Sequence, residues 1–115
     1  MAYHLMIFKQ STAIEPAIDL YLGSAHTVHL YWEAASFDIG LPTISAIMER
    51  ADSEAGFCLS GATLIAFKVE VELLYKHWNS PQSGHELPPT HAALMRTVIL
   101  ALGDESFDNA TLVIA

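Results

Sequence analysis

Residues 73–91, LLYKHWNSPQSGHELPPTH, carry three of the chain's six histidines, His77, His85 and His91, with Glu86 beside the middle one. Imidazoles and a carboxylate gathered this closely are the donor set of a zinc site. A zinc helix, however, places its histidines at i and i+4, as in H-E-x-x-H. Here Pro89 stands where the second histidine belongs. His77 falls in the last turn of an expected helix, where an imidazolium suits the negative end of the helix dipole. His91 falls in the first turn of the next helix, one turn before Met95, which offers no hard ligand. The stretch reads as a joint between two helices, with neither a metal nor a cofactor assigned to it.

Two other groupings have the right residue types for catalysis. His26 and His29 form an H-x-x-H, but on a strand residues three apart point to opposite faces. On that same reading His29, Tyr31 and Glu33 share one face, where a His–Glu pair can act as general base and orienter. Cys58 is the lone cysteine, which excludes an internal disulfide and a thiolate-rich zinc site. No glycine-rich elbow surrounds it, and GFCLSG reads as a small buried residue rather than a nucleophile. No Walker A, G-x-G-x-x-G or EF-hand pattern occurs, and the expectation is a protein that is not an enzyme.

Charge is more informative. Thirteen Asp and Glu against five Lys and Arg give a formal charge of −8. The cations, Lys9, Arg50, Lys68, Lys76 and Arg96, are scattered, so nucleic acid is not the expected ligand. An acidic surface favours basic protein partners and speeds encounter with them. The acids cluster in turns and at helix ends: Asp38, then Glu49, Asp52 and Glu54, then Asp104, Glu105 and Asp108. The chain is 52% hydrophobic and 16% charged, so either the core is generous or apolar surface is kept for a partner.

These groups need elements to hold them. Residues 3–9 alternate Tyr3, Leu5 and Ile7 with His4, Met6 and Phe8, a strand apolar on both faces. Residues 11–23 offer Thr12 and Glu15 at capping-box spacing, an Ile14, Ile18, Tyr21 stripe and Gly23 as a stop, a short helix. Residues 26–34 alternate Val28, Leu30 and Trp32 with His29, Tyr31 and Glu33, a strand. Gly40 and Pro42 precede a second helix carrying Ile44, Ile47, Met48 and Ala51. GFCLS is a brief strand or an entry segment.

In residues 61–79, Leu64, Phe67, Val71, Leu74 and Trp78 follow helical spacing, although FKVEVEL also alternates. About 18 residues without Gly or Pro decide for a helix, with Lys68, Glu72 and Lys76 as an i, i+4 ladder. Pro88 and Pro89 open another helix, lined by Leu94, Met95, Val98, Ala101 and Leu102 and closed by Gly103. ATLVIA closes the chain as a strand. The expected fold is α+β (α/β), one compact domain over residues 1–115, with a small sheet of three to four strands covered by about four helices.

The G-F-x-L-S entry (Gly56, Phe57, Leu59, Ser60) into a long helix ending LLYKHW, the proline-started second helix and the terminal TLVIA together cover roughly residues 56–115. In these features, its length and its charge the chain resembles the small acidic immunity proteins of bacterial toxin–immunity systems, such as contact-dependent inhibition. The resemblance implies a cytoplasmic protein, without cofactor, that binds a basic toxin domain, commonly a nuclease, and occludes or distorts its active site, with buried aromatics such as Tyr31, Trp32, Tyr75 and Trp78 as its anchors and the acidic loops as its rim. The N-terminus shows no basic n-region or cleavage site, and no run approaches the roughly 18 apolar residues of a membrane helix. The competing reading is a self-assembling or subunit-type structural protein, such as a homodimer with the helix at 88–103 as its seam.

Overall fold

A computed structural model describes residues 2–10, 12, 14–51, 56–80, 87–104, 107 and 109–115. Two strands come first, β1 (Ala2–Phe8) and β2 (Ile18–Ser24). A helical run follows without a break: α1 (Ala25–Val28), a π-helical turn (His29–Ala34) and α2 (Ala35–Ile39). Then come α3 (Pro42–Ser45), α4 (Ile47–Ala51), β3 (Phe57–Ser60), α5 (Gly61–Trp78), α6 (Pro89–Leu102) and β4 (Thr111–Ile114). The four strands form one antiparallel sheet in the order β2-β1-β4-β3, so the fold is α+β.

Among the described residues the helices cover one face of the sheet. Tyr3, Leu5 and Ile7 of β1, Leu22 of β2, Phe57 and Leu59 of β3, and Leu112 and Ile114 of β4 all point into one continuous core. That corrects the expectation for residues 3–9: His4 is exposed and Met6 and Phe8 are only half-buried, so one face of β1 is dry and the other meets solvent. On this open face His4 Nδ1 lies 3.0 Å from an Asp19 carboxylate oxygen and packs edge-on against Tyr21. Cys58 sits on the same side, exposed rather than buried.

Two further expectations change. The segment read as a helix at 11–23 supplies β2 instead. Ile18, Leu20 and Leu22 alternate with Asp19 and Tyr21 and pair with β1, with a register shift opposite Tyr3 and His4. Ile14, which the helical stripe required inside, is 96% exposed. The segment read as a strand at 26–34 is helical. Ser24 caps it by accepting the Thr27 N–H at 3.3 Å. Val28, Trp32 and Ala35 then fall at helical spacing into the core, while Leu30, an inward residue on the strand reading, is exposed.

The long-helix reading of residues 61–78 holds: Leu64, Phe67, Val71, Leu74 and Trp78 are its buried stripe, and Ser60 with Thr63 forms a reciprocal capping box. Helix α6 begins at Pro89 as expected and buries His91, Met95, Val98 and Ala101. Helix α3 lacks a side-chain cap of its own. The buried Glu70 of α5 supplies one across 26 and 27 residues, its carboxylate accepting Ile44 N–H at 3.0 Å and Thr43 N–H at 2.9 Å. This places the carboxylate at the positive end of a short helix dipole.

Candidate interaction surface

The residues singled out for chemistry separate in space. His29 and Glu33 do meet, Nδ1 to carboxylate oxygen at 3.2 Å, because they stand four apart on a helix rather than two pleats apart on a strand. Tyr31 leaves them. Its ring packs against Trp78 at 5.7 Å and His91 at 5.0 Å between centroids. The triad is therefore an exposed His29 on a buried Glu33, with a half-buried Tyr31 turned away from both.

Tyr31 belongs to an aromatic junction in which the π-helical turn meets the end of α5 and the start of α6. The Trp32 indole N–H donates to His91 Nε2 at 2.6 Å. An indole nitrogen only donates, so Nε2 is the unprotonated nitrogen and His91 is neutral, with its proton on Nδ1. Burial pushes the His91 pKa down, consistent with that state. The Trp78 indole N–H donates to the Tyr31 carbonyl at 2.9 Å. Ser36 Oγ donates to the Trp32 carbonyl at 2.6 Å, satisfying another polar group of the turn.

This corrects the assignment of the tryptophans as partner anchors. Trp32 is fully buried and Trp78 nearly so, and both indole N–H groups are satisfied internally. Their large apolar area holds three helices together. His77 lies half-buried at the end of α5 with its ring against Trp78. His85 and Glu86 lie outside the described residues. Among the described residues no group of three or more His, Cys, Asp and Glu is placed to hold a metal ion, and no helix is long and apolar enough to cross a membrane.

Of the acids expected at a contact rim, Asp38 in α2, Glu49 in α4 and Asp104 after α6 are exposed. Asp52, Glu54, Glu105 and Asp108 lie outside the described residues. The exposed apolar groups were not foreseen as contacts. Phe37, at the tip of α2 next to Asp38 in sequence, is 67% exposed, and Ile39, turned to another side of the helix, is 37% exposed. The tip is hydrogen-bonded back onto a buried stretch of the helix. Ala35 and Ser36 just before it are buried, and Gly40 ends the helix in the left-handed conformation, φ 73° and ψ 46°. Gly40 and Leu41 N–H groups both return to the Ser36 carbonyl.

The second bare surface lies on α5 and α6. Ile65, Val69 and Leu73, at four-residue intervals, are 67%, 50% and 45% exposed, and Leu100 of α6 is 75% exposed. Between the two helices runs a groove of about 340 Å³ lined by Glu72, Tyr75, Lys76, Arg96, Ile99 and Leu100. Arg96 donates to the Tyr75 hydroxyl at 3.1 Å, and this bond lowers the Tyr75 pKa.

Comparison with known proteins gives no matching family model, no matching curated protein and no matching solved structure.

Proposed function

We propose that the chain is a protein-binding inhibitor that neutralises a basic toxin domain, a nuclease in its most direct form, by covering that domain's active site. The single observation that carries the reading is the tip of α2. A mostly exposed phenylalanine, Phe37, precedes an exposed carboxylate, Asp38, there, on a chain of net charge −8. Large apolar groups exposed beside acids supply the two things an electrostatic inhibitor needs: a desolvated anchor and a field that steers a cationic partner. A nuclease must be basic to grip its phosphates, so it is the complementary partner. The reading places the protein in the cytoplasm, where such a toxin would act. In it Phe37 replaces the buried tryptophans as anchor, with Asp38, Glu49 and Asp104 as charged contacts.

A catalytic reading is less well supported, because His29, Tyr31 and Glu33 do not converge on one pocket. The test is capture on the immobilised chain at low and at high salt, followed by co-expression of whatever binds. A stoichiometric basic protein, released by salt, whose toxicity is relieved by the wild-type chain and not by a Phe37→Ala/Asp38→Lys variant, is the expected result. A captured protein that is not basic, or relief that survives the double substitution, would sink the proposal.

A further inference from the structure

The start of α6 is attached to the rest of the molecule at one point. Its N-cap, Pro88, makes no side-chain bond to the helix, and Pro89 has no N–H to give. The first helical bond runs from the Ala92 N–H to the Pro88 carbonyl at 2.9 Å. Pro88 and Ala92 are half-buried, and Pro89, Thr90 and Ala93 are exposed. Between Leu87 and Leu94, which both pack at the edge of the core, the only buried side chain is therefore His91. A single titratable group holds this turn in place.

We propose that the Trp32–His91 hydrogen bond is an acid-released latch. Protonating His91 frees the first turn of α6 from the π-helical turn while the rest of the fold stays closed. The geometry allows the bond in one protonation state only. The Trp32 indole N–H donates to Nε2 at 2.6 Å, and in the imidazolium that nitrogen carries a proton of its own. Two N–H groups would then point at each other across a buried contact with no acceptor between them, so the rings must part.

The neighbours of His91 do not favour the imidazolium in the closed turn. From the π-helical turn it faces the rings of Tyr31, at 5.0 Å between centroids, and Trp32, at 5.9 Å. The carboxylate of that turn, Glu33, stands with His29 at 3.2 Å. The end of α5 brings Trp78, packed on Tyr31, then His77, whose ring lies against Trp78, and the exposed cation Lys76. Within α6 the nearest charge is another cation, Arg96, bonded to Tyr75. Among the described residues no carboxylate pairs with His91. The Tyr31 ring attracts a cation. Burial opposes it and lowers the His91 pKa, and so does the positive end of the α6 dipole, because His91 lies in the first turn.

The opening has a built-in limit. Met95 and Val98 are fully buried, and the Arg96–Tyr75 bond ties α6 to α5 just over one turn beyond His91. The Trp78 indole bond to the Tyr31 carbonyl does not involve α6 and stays in place. In the open turn the imidazole regains an ordinary pKa near 6.5. The opening equilibrium is therefore flat above about pH 6.5. Below it, opening rises by up to about tenfold per pH unit and levels off where the closed imidazole also protonates.

Hydrogen exchange of the two indole N–H groups, followed by NMR in the full chain on both sides of about pH 6.5 and corrected for intrinsic rates, tests the latch. Below that pH the Trp32 indole is expected to exchange at least about tenfold faster than the Trp78 indole. Its route should be insensitive to low urea, because opening one turn exposes little surface. In His91→Gln, which accepts the same N–H without titrating, Trp32 opening becomes independent of pH. A second readout comes from His91 itself. Trp32→Phe keeps a ring but cannot donate, so the NMR titration midpoint of His91 moves up toward its ordinary value. Indoles that exchange together at every pH mean that His91 protonates only on global unfolding, and overturn the proposal. So does an acid dependence that persists in His91→Gln, or a His91 midpoint that Trp32→Phe leaves in place. Phe37 and Asp38 take no part in the latch, so the inhibitor reading stands or falls separately.

Discussion

Trp32 and Phe37 are five residues apart on one helical run, and both are large aromatics followed in sequence by a carboxylate, Glu33 and Asp38. Trp32 is buried with its N–H on His91, whereas Phe37 is mostly bare beside Asp38. The difference teaches what residue type alone does not: an aromatic serves stability or recognition according to which side of the helix the core occupies. It also gives the two positions opposite experimental signatures. Trp32→Ala removes the wedge between three helices and should cost about 3–5 kcal/mol, read as a lowered denaturant midpoint. Trp32→Phe keeps most of the ring but loses the donor to His91, and should cost less, roughly 1–3 kcal/mol. If Trp32→Ala unfolds at the wild-type midpoint, the junction is not what binds the helices.

The next largest effect sharpens the interior side of the comparison. Glu70 is a buried carboxylate whose partners are the backbone N–H groups of Thr43 and Ile44, on the helix that follows the Phe37 tip. Glu70→Ala takes the acceptor from the buried Ile44 N–H and the part-buried Thr43 N–H, at about 2–3 kcal/mol. Hydrogen exchange should show the loss first at Thr43 and Ile44. Uniform acceleration across the whole chain would instead mean that α3 does not open on its own.

Much of this layout was legible in the sequence, and the failures share a cause. Helices α5 and α6 were readable because a stripe such as Leu64, Phe67, Val71, Leu74 and Trp78 runs through several turns, longer than any strand of this fold. Residues 11–23 and 26–34 are short and fit both periods. Ile14, Ile18 and Tyr21 make a helical stripe, yet Ile18, Leu20 and Leu22 make a strand. Pairing with β1, a contact that no local pattern reveals, decides for the strand. In 26–34, Val28 and Trp32 satisfy both readings, and the decision rests on Leu30 staying outside. Once that segment is a helix, the His29, Tyr31 and Glu33 cluster has to break up, because residues two apart on a helix do not share a face. The acids of the rim were legible by composition. The Phe37 and Ile39 anchors were not, because exposure belongs to the packed chain.

A smaller effect tests the junction by pH. Burial lowers the folded-state pKa of His91 below its ordinary value near 6.5. The unfolded chain therefore takes up the proton first as pH falls. The stability that neutral His91 contributes is complete above about pH 6.5 and declines below it. The loss levels off once the folded imidazole also protonates. One such group gives a slope of at most about 1.4 kcal/mol per pH unit. His91→Gln can still accept the Trp32 N–H through its amide oxygen but does not titrate, so it should flatten this part of the profile. An unchanged slope in His91→Gln would assign the pH dependence to the other histidines.

The smallest expected change in stability is the most informative one for function. Phe37 and Asp38 contribute little to the core, so Phe37→Ala and Asp38→Asn should each move the unfolding free energy by no more than about 0.5 kcal/mol. Under the inhibitor reading the same substitutions act on different rates. Phe37→Ala removes a desolvated anchor and should speed dissociation from the basic partner by tenfold or more, as for an interface hot spot worth over ~1.4 kcal/mol. Asp38→Asn removes a steering charge and should slow association at low salt while leaving dissociation nearly unchanged, the difference fading as salt is added. A helix tip that destabilises the chain when truncated would belong with Trp32 as packing. One that alters neither stability nor either rate would be an ordinary exposed turn, and the acids elsewhere would have to carry recognition alone.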